Sequence, residues 1–179
     1  NGPKAGSALT GEGLIGALRA DNAAWVHLDG TDPGARAWIV ANLDYLDRHA
    51  IDALLAEETR PRATVIGDGV LIVLRGVNTN EGDAPEDMVS LRAWIDPHRV
   101  ISLSIRRIAA VDDLVAHFER GKGPDSAGGW MSALAELLNG RIARFAGKLG
   151  EAVDGLEEEV IDVPTTSELR KQLVDQRMS

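Results

Sequence analysis

The sequence contains no cysteine. That excludes a disulfide framework and thiolate zinc sites, and it suits a reducing compartment. Aromatic residues are almost as scarce: Trp25, Trp38, Trp94, Trp130, Tyr45, Phe118 and Phe145 make up the whole set. Leu, Val, Ile and Ala must therefore fill the core. No apolar run approaches the ~18–20 residues that a membrane helix needs, and no signal-peptide pattern opens the chain. Positive charge is also in short supply. Nineteen Lys and Arg stand against 28 Asp and Glu, a net charge of −9. Nucleic-acid partners are disfavoured, because phosphate neutralisation needs clustered cations; metal cations and basic partners are favoured.

Catalytic patterns are missing as well. The chain has no GxSxG elbow and no GxxxxGK[ST] loop, and Gly67, Gly69 and Gly76 suit a hairpin and its exit better than a phosphate cradle. His27, His49, His98 and His117 form no HxH or HExxH pattern, so ordinary hydrogen-bonded histidines are the expectation. Ser102 and Ser104 alternate along a strand with no base nearby in sequence. With no nucleophile, base or cofactor loop assembled, the chain reads as a non-enzyme without a tightly bound cofactor.

What is present is a soluble-type composition, 44% apolar and 26% charged over 179 residues. That length suffices for one domain with a substantial core plus an appendage, burying about 70% of its extended surface. Residues 1–22 read as a flexible leader and the start of the domain. "AAWVHLD" alternates as a strand, and Asp32-Pro33 then caps and opens a helix bearing Trp38, Ile39, Leu43 and Leu46 on one face. A short helix, "AIDALLAEE", ends before Arg60-Pro61. The period then changes to two. "RATVIGDGVLIVLRGV" is a hairpin turning at Gly67-Asp68-Gly69, and its unbroken "VLIVL" suits a strand covered on both faces. "MVSLRAWIDPHRVISLSI" is a second hairpin turning at Asp96–Arg99, with Val89, Leu91, Ala93 and Ile95 on one face and Ser90, Arg92 and Trp94 on the other. Another helix, "AAVDDLVAHFERG", ends at Gly121. The Gly- and Pro-rich "GKGPDSAGG" divides an α/β domain, residues 23–128, from a long helical hairpin, residues 129–179.

In that last part Leu134, Leu138, Ile142, Phe145, Leu149, Val153, Leu156 and Val160 recur with an eleven-residue period. At 3.67 residues per turn this keeps one apolar stripe along roughly 45 Å of nearly straight helix. Asp162-Val163-Pro164 ends it. "TSELRKQLVDQRMS" starts the next helix, with Thr165 and Glu168 at capping-box spacing. The sequence stops inside that pattern, as a piece of a longer chain would.

The segment "EAVDGLEEEVID" holds six carboxylates in twelve residues and no Lys or Arg. Glu151, Asp154, Glu158 and Asp162 fall opposite the apolar stripe, flanked by Glu157 and Glu159. One reading is the solvated side of an amphipathic helix. The other is a cation-attracting row, because like charges at i,i+4 repel and anions near a helix C-terminus oppose the macrodipole. Something that offsets both, such as divalent cations or a basic neighbour, would explain them.

Six strings in order, "EETRPR" (57–62), "GDGVLIVLRGVN" (67–78), "PEDMVSLRAWID" (85–96), "VISLSIRR" (100–107), "GKGPDSAGGW" (121–130) and "LRKQL" (169–173), resemble ZntB-type zinc transporters of the CorA superfamily of divalent-cation transporters. The likeness runs from about Trp25 to the last residue. It implies an α/β (α+β-like) fold, a mixed, largely antiparallel sheet flanked by helices, followed by long C-terminal helices. It further implies a cytoplasmic domain of a bacterial inner-membrane protein whose stalk and two membrane helices lie beyond this chain, assembled as a homopentamer. The transported ion would be Zn2+, with Mg2+ or Co2+ the alternative, since oxygen-only ligands suit magnesium as well. The resemblance favours cation attraction by Glu151, Asp154, Glu158 and Asp162, mostly through water. An acidic regulatory or interaction module is the reading from a different class.

Overall fold

The computed structural model describes residues 9, 11–20, 23–56, 60–84 and 86–162, without the side chains of residues 11 and 156–162. Strands and helices follow the two sequence periods. The five strands are β1 (Ala24–Asp29), β2 (Arg62–Ile66), β3 (Gly69–Gly76), β4 (Val89–Ile95) and β5 (Arg99–Ser104). They form one sheet in the order β1-β5-β4-β3-β2. Only β1–β5 is parallel; the other three pairings are antiparallel, so the sheet is mixed and largely antiparallel.

Local chemistry fixes the turns. Gly67 has φ +59° between β2 and β3, which a residue bearing a Cβ adopts only with strain. Between β4 and β5 the buried Asp96 carboxylate accepts from the backbone N–H groups of His98 and Arg99 at 2.7 and 2.6 Å. Helix α2 (Pro33–Asn42) opens as its sequence suggests, with Asp32 Oδ1 accepting from Gly34 N at 2.7 Å and Pro33 at the first position. Helix α3 (Arg48–Leu54) is capped in the same way by Asp47. It is shorter than the "AIDALLAEE" pattern, whose residues 57 and 58 lie outside the described residues.

Two apolar layers sandwich the sheet. On one face Ile72, Leu91, Ala93 and Val100 meet Ala110, Val111 and Leu114 of α4 (Ala109–Glu119) and Trp130, Leu134 and Leu138 of α5 (Ala127–Asp162). On the other, Val26, Leu71, Trp94, Ile101 and Leu103 meet Ile39 of α2, Leu43 and Leu46 just after it, and Leu54 of α3. Coverage of both faces accounts for the unbroken apolar run of β3. Leu18 also belongs to this second layer, from α1 (Gly11–Arg19). Within residues 1–22, expected as leader and start of the domain, residues 11–19 are this helix. Gly13 and Gly16 weaken its propensity, yet Leu14 and Leu18, four apart, pack on the core and offset them.

The chain divides into two compact units, residues 1–142 and 143–179. The first contains the sheet, its two layers and the opening turns of α5. In the second, α5 continues as helix to Asp162, and Leu149 and Val153 are exposed. The Thr165–Glu168 capping box and the final helical pattern lie outside the described residues. Among the described residues no helix is long and apolar enough to cross a membrane.

Candidate functional site

The acidic row is a property of a single helix. Glu151 and Asp154 are exposed on α5, one turn apart. Glu158 and Asp162 continue the same backbone helix, with side chains outside the described residues. At 1.5 Å per residue, Glu151 and Asp162 are about 16 Å apart along the axis. Divalent-cation chelation needs several oxygens converging at roughly 2.0–2.6 Å, which an extended row on one helix does not supply. Among the described residues no three His, Asp or Glu side chains come together to hold a metal. The period also puts Lys148 on this face, three residues before Glu151, so the row turns from basic to acidic as the helix proceeds.

A second polar constellation comes from tertiary pairing. The parallel β1–β5 register sets His27 beside Ser102 and Asp29 beside Ser104. His27 Nδ1 lies 3.0 Å from Ser102 Oγ, and Nε2 lies 3.3 Å from Ser104 Oγ. Trp25 Nε1 donates to Ser102 Oγ at 2.8 Å, and that hydroxyl donates to the Val26 carbonyl at 3.2 Å. Both serines are buried. The imidazole that short-range sequence does not offer Ser102 and Ser104 is thus supplied by a strand 75 residues away. Burial pulls the His27 pKa below its ordinary value, and the negative charges of Asp112 and Asp29 pull it part of the way back. Hydrogen bonds from the Thr31 hydroxyl and N–H, both to Asp29 Oδ1, hold the Asp29 carboxyl below its usual range. Both serine hydroxyls make hydrogen bonds within the seam. Trp25 also packs on Phe118 and Trp130, with ring centroids 5.5 Å apart in each case, closing the cluster with core aromatics.

Neither constellation carries a ligand set as specific as the kinship of the whole chain. A match to the family described as "CorA-like Mg2+ transporter protein" spans residues 20–179. The zinc transport protein ZntB of Pectobacterium atrosepticum is 33% identical over 162 residues, 88% of this chain and 49% of that protein. The divalent cation transporter CmaX of Pseudomonas aeruginosa is 42% identical over 142 residues, 79% of this chain and 42% of that protein. The structure of full-length CmaX superposes with a TM-score of 0.78 at 38% identity, covering 90% of this chain and 51% of that one. The ZntB cytoplasmic domain of Vibrio parahaemolyticus gives 0.68 at 29% identity, covering 83% of this chain and 60% of that one. The chain thus spans about half the length of the curated relatives it matches. Sequence and superposition agree, and the chain belongs to the CorA-like family, on its ZntB-type side, in the portion matched by the ZntB cytoplasmic domain.

Proposed function

We propose that this chain is the cytoplasmic part of a divalent-cation transporter of a bacterial inner membrane, with zinc as its ion. Its task is to gather cations toward a pathway built by stalk and membrane helices beyond it, and to contribute to gating. It performs no catalysis and keeps no tightly bound cofactor. The observation that carries the reading is the family match over residues 20–179, joined to relatives named for zinc and divalent-cation transport. Five copies form the working assembly.

Glu151, Asp154, Glu158 and Asp162 are the cation-attracting row. A field of this kind raises local cation concentration and entry rates by about 10–10³-fold at low salt. The ~8 Å screening length at physiological ionic strength trims that gain for exposed positions. Magnesium is the second reading, favoured by the family's own description and by oxygen-only chemistry. Uptake of labelled zinc and magnesium by cells carrying the full-length protein separates the two. Zinc uptake that saturates and is not displaced by excess magnesium supports the proposal. Magnesium uptake with no zinc uptake overturns the zinc assignment, and uptake of neither overturns the transport reading.

A further inference from the structure

The His27 seam has a hydrogen-bond order that can be worked out from donor and acceptor counts. A serine hydroxyl has one proton and two acceptor positions. The Trp25 indole only donates, so it takes one acceptor position of Ser102. The Val26 carbonyl only accepts, so it takes the Ser102 proton. What remains for His27 Nδ1 is to donate to the second acceptor position of Ser102. In the neutral ring Nε2 is then the acceptor, and its donor is the Ser104 hydroxyl. The tautomer is fixed by the strand pairing.

We propose that His27 is a proton-responsive centre of the domain: a proton from solvent adds at Nε2, reverses the Ser104 hydrogen bond and loosens the seam joining β1, β5 and α4. After proton uptake Nε2–H donates to Ser104 Oγ. The Ser104 hydroxyl proton then loses Nε2 as its acceptor in a buried position, which opposes charging of the ring. Burial of the ring opposes it in the same direction. The seam reaches beyond the ring, because the Ser104 carbonyl accepts from Gly30 N at 2.7 Å, where the chain leaves β1.

The charged groups around His27 set the midpoint. From β1, Asp29 favours the charged ring while being held by Thr31. Between Ser102 and Ser104, β5 contributes only hydroxyls and Leu103. From α4, Asp112 favours the charged ring, and Arg107, in the preceding loop, offsets it through an ion pair at 2.7 Å. Farther along α4, Asp113 is occupied by Arg141 of α5, and His117 lies in the last turn. The sign follows from burial. A histidine pKa lowered on folding gives stability that is complete above the unfolded value of about 6.5 and is lost as pH falls through the folded value.

The test is a titration of the labelled 179-residue chain followed through imidazole and backbone nitrogens. The expected result is an Nδ1–H tautomer at pH 8 and a His27 midpoint below 6.5. Gly30, Ser104 and the first-turn amides of α4 should shift with that same midpoint. Asp112→Asn should lower the midpoint further, and His27→Gln should remove that phase from the backbone signals. An Nε2–H tautomer, a midpoint at or above 6.5, or backbone signals that ignore the ring would each overturn the proposal. The wild-type ring and amide data decide the matter if His27→Gln does not fold.

Discussion

Asp96 ties the β4–β5 turn to elements distant in sequence, and its removal should be among the costliest single changes in the domain. One carboxylate oxygen accepts the N–H groups of His98 and Arg99, and the other accepts Arg99 Nε at 2.7 Å. The Arg99 guanidinium then lies 4.5 Å from the centre of the Tyr45 ring and donates to the Leu18 carbonyl at 3.4 Å. Asp96 is 5% exposed, so water cannot readily replace the lost acceptor. Asp96→Ala leaves two turn N–H groups and a partly buried cation without their partner, a change that costs about 3–5 kcal/mol. Asp96→Asn keeps an oxygen for the backbone but turns an amide toward the guanidinium, and should cost about half as much, ~1.5–3 kcal/mol. Combining Asp96→Ala with Arg99→Ala should cost less than the sum of the single changes, with a coupling of about 0.5–3 kcal/mol. Urea unfolding followed by tryptophan fluorescence at pH 7 measures the parent and the four variants. A cost below ~1 kcal/mol for Asp96→Ala, or equal costs for Ala and Asn, would refute the assigned network.

Other substitutions probe the packing. A Cβ at Gly69 would collide with the Trp94 ring and lie 2.8 Å from the Ile95 carbonyl oxygen, so Gly69→Ala should cost about 1–3 kcal/mol in thermal unfolding. Leu134→Ala empties a fully buried position and should cost about 2–5 kcal/mol, whereas Ile142→Ala, two turns on and 38% exposed, should cost under ~1 kcal/mol. Val65→Thr on the exposed edge strand β2 should leave chemical denaturation within about 0.5 kcal/mol of the parent.

The parts of this fold that are legible in sequence are those settled by neighbours along the chain. Gly67-Asp68-Gly69 announces a hairpin because the turn needs a positive φ, and Gly67 adopts it. Val89, Leu91, Ala93 and Ile95 reach one layer and Trp94 the other because strand side chains alternate. Strand order is different. The placement of β1 parallel to β5 depends on pairing across 75 residues, so neither the His27–Ser102 contact nor the fixed tautomer has a local signature. The stripe of α5 shows a related limit. Its period names the apolar face from Leu134 to Val160, yet Leu134 and Leu138 are buried while Ile142, Leu149 and Val153 are exposed. Periodicity says which side of a helix is apolar, and the tertiary fold decides what covers it. The acidic face was legible in the same sense: Glu151 and Asp154 are exposed on one face, and the cation-attracting role is a proposal beyond that exposure.

Calorimetric titration of zinc into the chain, at about 20 mM and 150 mM salt, probes that role most directly. The parent is compared with a variant carrying Glu151→Gln, Asp154→Asn, Glu158→Gln and Asp162→Asn. Cation attraction by the row predicts weak binding heats in the parent, a marked fall at the higher salt as screening sets in, and a clear loss in the variant. Equal heats from the two proteins at both salt concentrations would contradict it.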